Sequence, residues 1–96
     1  MDLGIQGRNA IVCASSNGLG FACARALAHE GCNVVLNGRD KNRLKAAADI
    51  IKGEVRSLVT IVAGDVGLAN VREALLNEFP APDILINNNS GPPVRD

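Results

Sequence analysis

Four short stretches of this 96-residue chain collect residues able to do chemistry. They are Cys13-Ala14-Ser15-Ser16-Asn17-Gly18-Leu19-Gly20, then Gly38-Arg39-Asp40, then Gly64-Asp65-Val66, and last Asn87-Asn88-Asn89-Ser90-Gly91. The first offers hydroxyl donors and a glycine-rich bend, the second a guanidinium, the third a carboxylate, the fourth a run of amides. This is the chemistry of holding a polar, anionic ligand rather than of breaking a bond. Metal chemistry has little support: Cys13, Cys23 and Cys32 are too far apart for a C-x-x-C pair, and His29 has no partner at ligand spacing. The three thiols read as free cysteines in a reducing compartment.

The segments around these stretches read as an alternation of strands and helices. Asn9 to Cys13 is apolar and β-prone, and Gly18 to Glu30 is rich in Ala and Leu, with Gly31 as its stop. Asn33 to Asn37 is a short, continuously apolar strand of the kind covered on both faces, ending at Gly38. A helix capped by Asp40 follows, with Leu44, Ala47, Ala48 and Ile51 at helical spacing and Gly53 at its end. A third strand is expected through Ser57 to Ala63. A helix with Val71, Leu75 and Leu76 on one side then runs to about Phe79, where Pro80 and Pro82 break it, and Asp83 to Asn87 forms a fourth strand.

The order β-α-β-α-β-α-β predicts an α/β fold, a Rossmann-type parallel sheet with helices on both faces and right-handed crossovers. Ligands of such sheets bind beyond the carboxyl ends of the strands, and all four stretches fall at that edge. At the start of the first helix, unpaired backbone N–H groups and the positive end of the helix dipole suit a pyrophosphate. Gly18 would let the backbone approach it, Gly20 would let the helix pack closely on the first strand, and Ser15 and Ser16 would donate hydroxyl bonds. A glycine-rich turn capped by Ser16 or Asn17 is the plain alternative.

At the end of the second strand, the place of a ribose-binding carboxylate holds Gly38, and Arg39 follows. A guanidinium there pairs with a 2′-phosphate, which favours NADP(H) over NAD(H). Asp40 is read as the helix cap, with a ribose-binding acid as its alternative, which keeps NAD(H) open; Arg39 could also be a solvated loop residue. Asp65 could accept from an adenine amino group while the Val66 N–H reaches a ring nitrogen, or Asp65 could cap the next helix. The Asn87–Ser90 amides could tie the loops together and line a ribose site, or form a polar turn before Pro92.

Composition limits the rest. At 47% hydrophobic residues and 96 in all, the chain supports one small core. Formal net charge is zero with scattered Lys and Arg, which argues against nucleic acid and anionic membrane as partners. The N-terminus lacks a basic region, and its apolar run is too short for a signal peptide or a membrane span, so a cytoplasmic protein is expected.

Taken together, the motifs resemble the N-terminal part of the short-chain dehydrogenases/reductases, most of all the 3-oxoacyl-acyl-carrier-protein reductases, over nearly the whole chain. The family pattern T-G-x-x-x-G-x-G falls on Cys13 to Gly20, its acidic adenine motif on Asp65-Val66, and N-N-A-G on Asn87 to Ser90. The chain departs from it at Cys13 and Ala14, at Asn17 where NADP-dependent members often carry Lys or Arg, and at Asn89 and Ser90.

The resemblance implies nicotinamide-dinucleotide binding through Ser15, Ser16, Asn17, Gly18, Leu19, Gly20, Arg39, Asp65, Val66 and Asn88. It also implies hydride transfer to a small carbonyl substrate in an intact, homo-oligomeric parent. The family's catalytic tyrosine and lysine have no counterpart here: the sequence has no tyrosine, and Lys41, Lys45 and Lys52 all lie in the helix after the second strand. Residues 1–96 are therefore expected to be an incomplete dinucleotide-binding domain, inactive alone. A nucleotide-binding or assembly module without reductase chemistry is the alternative.

Overall fold

A computed structural model describes residues 7–13 and 18–87 of the chain. Its elements are β1 (Asn9–Cys13), α1 (Gly18–His29), β2 (Asn33–Gly38), α2 (Lys41–Lys52), β3 (Val59–Ala63), α3 (Ala69–Glu78) and β4 (Ile84–Asn87). The four strands form one parallel sheet in the order β3-β2-β1-β4. The expected α/β architecture is therefore present.

Side-chain alternation along the strands builds two cores. Ala10, Val12, Val34, Leu36 and Val59 point to one face, where Ala24 and Ala28 of α1 and Leu44, Ala48 and Ile51 of α2 cover them. Ile11, Cys13 and Val35 point to the other, against Val71 and Leu75 of α3 and Phe79 beyond it. The register keeps like with like, pairing Ala10 with Val34 and with Ile84, and Val12 with Leu36 and with Ile86. A slip of one residue would turn both sets inside out.

Small residues on α1 let it lie close to the sheet, and right-handed crossovers put α1 and α2 on the same face as the chain steps from β1 to β2 to β3. α3 then carries it back across the opposite face to β4. Strand order reverses between β2 and β4 on either side of β1, the position where open α/β sheets leave a crevice for ligands.

The two edges of the sheet differ. At the amino edge, polar side chains close the strand ends. Asp83 accepts from the Asn9 amide at 2.9 Å, the Asn33 amide nitrogen donates to Asn9 at 3.1 Å, and the Leu58 amide donates to Asn33 at 3.0 Å. That last bond turns the Leu58 amide to a side chain, so β3 begins at Val59 rather than at Ser57. At the carboxyl edge, β3 runs into Gly64 at φ +134°.

Gly31, at φ +91°, ends α1 as the sequence anticipates, with the helix proper stopping at His29 rather than Glu30. β4 likewise starts at Ile84, one residue late, because the Asp83 amide and carboxylate both serve Asn9. Among the described residues no helix is long and apolar enough to cross a membrane.

Candidate functional site

Parallel strands put the ends of β1, β2, β3 and β4 on one edge, in register: Cys13 pairs with Asn87, and Gly38 with Ala63. The structure brings Gly18, Leu19, Gly20, Arg39, Asp65 and Val66 to this edge. Ser15, Ser16, Asn17 and Asn88 lie outside the described residues, as do Ala14, Asn89 and Ser90.

α1 opens at Gly18, whose φ is +62°. A Cβ built there would have nothing within 4 Å, so backbone conformation, not crowding, reserves the position for glycine. The first turn of α1 carries no acidic residue, so its positive end is not answered by a carboxylate of its own. Leu19 is exposed and Gly20 buried, as expected if one faces outward and the other packs on the sheet. These features fit an anion such as a pyrophosphate.

At the end of β2 the two candidate roles separate. The Asp40 Oδ1 accepts from the amides of Asn42 (3.0 Å) and Arg43 (3.2 Å), so its carboxylate caps α2. Its other oxygen lies 3.8 Å from the Arg43 guanidinium. Arg39 is exposed and makes no hydrogen bond or ion pair among the described residues. Its guanidinium projects from the carboxyl end of β2 with its donors uncommitted.

The loop after β3 is held from two sides. Asn37, the one buried polar residue among those described, is 2% exposed, and its side-chain amide donates to the carbonyls of Val62 (3.0 Å) and Gly64 (3.1 Å). The Gly64 amide returns a bond to Gly38 at 2.8 Å. Gly64 itself has φ +134° and lies so close to Val71 that a Cβ there would meet Cγ2 at 2.6 Å. On the far side, Arg72 Nη1 donates to the carbonyls of Val66 (3.1 Å) and Gly67 (2.8 Å).

Asp65 does not cap α3. Its Oδ1 accepts from the Gly67 amide at 2.8 Å, and the cap position is Leu68, which makes no side-chain cap bond. The alternative reading of Asp65 as a helix cap therefore fails.

Sequence reasoning missed two residues here. Asn37 was read as the end of an apolar strand, and Arg72 was not singled out. The available signal for Asn37 was an amide inside a strand covered on both faces, where an unpaired polar group would be costly. Arg72 left no such signal, because its partners are carbonyls.

Away from this edge, Arg25 forms a two-pronged pair with Glu54, both bonds at 2.7 Å, and His29 Nε2 lies 2.8 Å from the same carboxylate. The hydrogen bonds from Arg25 first, and from His29 second, hold the Glu54 carboxyl down to about 2. A shallow groove of about 440 Å³ beside this cluster is lined by Phe21, Ala22, Arg25, Ala26, His29 and Glu30 on the outer side of α1. Burial pushes the thiols of Cys13 and Cys32 upward, away from reactive thiolate.

Known proteins place the chain. The family model for short chain dehydrogenases matches residues 8–95. An uncharacterised oxidoreductase of Bacillus subtilis, YvaG, is 36% identical over 89 residues, covering 92% of this chain and 34% of that protein. Mouse dehydrogenase/reductase SDR family member 4 is 38% identical over 88 residues, covering 88% of this chain and 31% of the relative. The 3-oxoacyl-[acyl-carrier-protein] reductase FabG of Escherichia coli is 30% identical over 86 residues, covering 90% and 35%.

Among solved structures, L-sorbose reductase from Gluconobacter frateurii, complexed with NADPH and L-sorbose, superposes with a TM-score of 0.85 at 38% identity, covering 95% of this chain and 36% of that one. The chain thus spans about a third of the length of the relatives it matches. With its motifs, its parallel sheet and these matches in agreement, the chain belongs to the short-chain dehydrogenase family.

Proposed function

We propose that residues 1–96 are the adenosine-binding part of an NADP(H)-dependent carbonyl reductase. The observation that carries the reading is the division of labour after β2: Asp40 is committed to capping α2, while Arg39 beside it has an exposed guanidinium with no partner among the described residues. A carboxylate reading a ribose 2′-hydroxyl is thereby withdrawn, and a cation suited to a 2′-phosphate is supplied.

In this reading Ser15, Ser16, Asn17, Gly18, Leu19 and Gly20 wrap the pyrophosphate, with amides at the open end of α1 as donors. Asp65 and the Val66 amide hold the adenine, and Asn88 lines a ribose. The solved relative complexed with NADPH supports the choice of cofactor. NAD(H) is the weaker candidate, since a free 2′-hydroxyl would leave Arg39 without a counter-charge.

A nicotinamide cofactor, when bound, supplies hydride transfer between its C4 and a carbonyl or alcohol carbon. The sequence has no tyrosine to act as the family's acid/base, so the role proposed for these residues is to bind and orient the dinucleotide. For the intact reductase we propose a 3-oxoacyl thioester as substrate, on the likeness to the FabG reductase and the motif pattern. An assembly module without reductase chemistry is the second reading. It is favoured by Leu85 of β4, which pairs in register with Ile11 on the face that α3 packs against and is nevertheless 65% exposed.

The test is an NMR titration of the chain with NADPH. Amide shifts at Gly18–Gly20, Arg39 and Asp65–Val66 are expected. Shifts confined to the groove on the outer side of α1 would overturn the assignment.

A further inference from the structure

Arg72 lies outside the residues that would touch a dinucleotide, yet its bonds converge on the peptide that orients Asp65. The unit between Val66 and Gly67 is gripped at both ends: its N–H donates to Asp65 Oδ1 at 2.8 Å, and its C=O accepts from Arg72 Nη1 at 3.1 Å. The same nitrogen donates to the Gly67 carbonyl at 2.8 Å, fixing the next peptide plane as well. A cation on the carbonyl polarises the amide and strengthens the bond its N–H makes to the carboxylate.

Among the described residues the guanidinium forms no ion pair, so its hydrogen bonds go to the loop alone. On the strand side, Asn37 and Gly38 already anchor Gly64. Arg72 completes the frame.

Resting on the reading of this edge as a dinucleotide site, we propose that Arg72 is a positioning residue for adenine recognition. It acts through the Val66–Gly67 peptide to aim the Asp65 carboxylate at the exocyclic amino group of the base. The consequence is specific. Hypoxanthine carries a carbonyl oxygen where adenine carries that amino group, so an aimed carboxylate favours adenine and a loosely held one discriminates less.

The experiment compares binding of NADPH, its hypoxanthine analogue and NADH by the chain and by Arg72→Met and Arg72→Lys, with thermal melting of each. The unaltered chain is expected to prefer NADPH to the hypoxanthine analogue. Arg72→Met should weaken NADPH binding about tenfold, the scale of losing one or two exposed hydrogen bonds. It should also narrow the adenine preference and leave the NADPH-to-NADH ratio unchanged. Arg72→Lys, able to serve the carbonyls with a single ammonium, should recover part of both.

Unchanged adenine preference in Arg72→Met, with or without weaker binding, would overturn the proposal while leaving the dinucleotide site standing. Failure of the unaltered chain to bind NADPH would overturn both. Should Arg72→Met fail to fold, Arg72→Lys decides alone: wild-type preference for adenine with a lowered melting temperature would mean a merely structural role.

Discussion

Replacing Gly64 with alanine should be among the most damaging single-methyl additions in the chain, and the structure says why. The backbone there sits at φ +134°, a region L-residues avoid, which costs about 1–3 kcal/mol. The new methyl would also lie 2.6 Å from Val71 Cγ2, about 1 Å short of ordinary carbon contact. Neither side can yield easily. Gly64 is tied through its amide to Gly38 and through its carbonyl to Asn37, and Val71 is a β-branched helical residue only 6% exposed, with one favoured rotamer. Overpacking of this kind adds about 1–3 kcal/mol.

The sum, about 2–6 kcal/mol, is a large part of the stability of a small domain. Urea unfolding of Gly64→Ala, Val71→Ala and the double variant separates the two parts. Val71→Ala removes two buried methyl-sized groups and should itself cost about 2 kcal/mol. It also clears the space, so the double variant should be more stable than the sum of the singles by about 1–3 kcal/mol. A single Gly64→Ala variant within about 0.5 kcal/mol of the original would refute the reasoning outright. An additive cycle would refute the collision and leave only the backbone strain.

Other predictions test the remaining devices. Asp40→Ala should lose about 1 kcal/mol of stability by chemical denaturation through its two cap bonds, whereas Asp40→Asn, which keeps a cap acceptor, should lose much less. Glu54 has a folded-state carboxyl lowered to about 2 from 4.5, so its contribution is present above pH 4.5 and is lost as pH falls through 2. The stability gap between the chain and Glu54→Gln, read from urea midpoints, should accordingly close between those pH values, and a gap that persists at the acid end would contradict the pairing with Arg25 and His29. Alkylation by iodoacetamide, followed by mass spectrometry, should modify half-exposed Cys23 well before buried Cys13 and Cys32; equal rates would contradict the packing.

The elements were legible because their signals are local. Apolar runs such as Asn33 to Asn37, the helical spacing of Leu44, Ala48 and Ile51, and stops such as Gly31 and Pro80 each depend on a few neighbouring residues. Boundaries moved where a distant partner intervened, as when Asn33 took the Leu58 amide and Asn9 took both groups of Asp83.

At the candidate site, the types of Arg39 and Asp65 could be read from their place after a strand, but not what each is bonded to. Asp40 was read as the cap of α2, and the structure bears this out with two amide bonds to its carboxylate, while the guanidinium next to it is unengaged among the described residues. The partners of Asn37, of Arg72 and within the Arg25–His29–Glu54 cluster escaped for a related reason. They are backbone carbonyls, or side chains 25 to 29 residues away, and neither kind of partner leaves a pattern in one sequence.

The central claim, that this edge binds a dinucleotide and reads its 2′-phosphate through Arg39, is tested most directly by calorimetric titration with NADPH and with NADH, repeated on Arg39→Ala. NADPH is expected to bind at least tenfold more tightly than NADH, about 1.4 kcal/mol, and the difference to disappear in the variant. Equal affinities for the two dinucleotides, or an NADPH preference that survives Arg39→Ala, would contradict it.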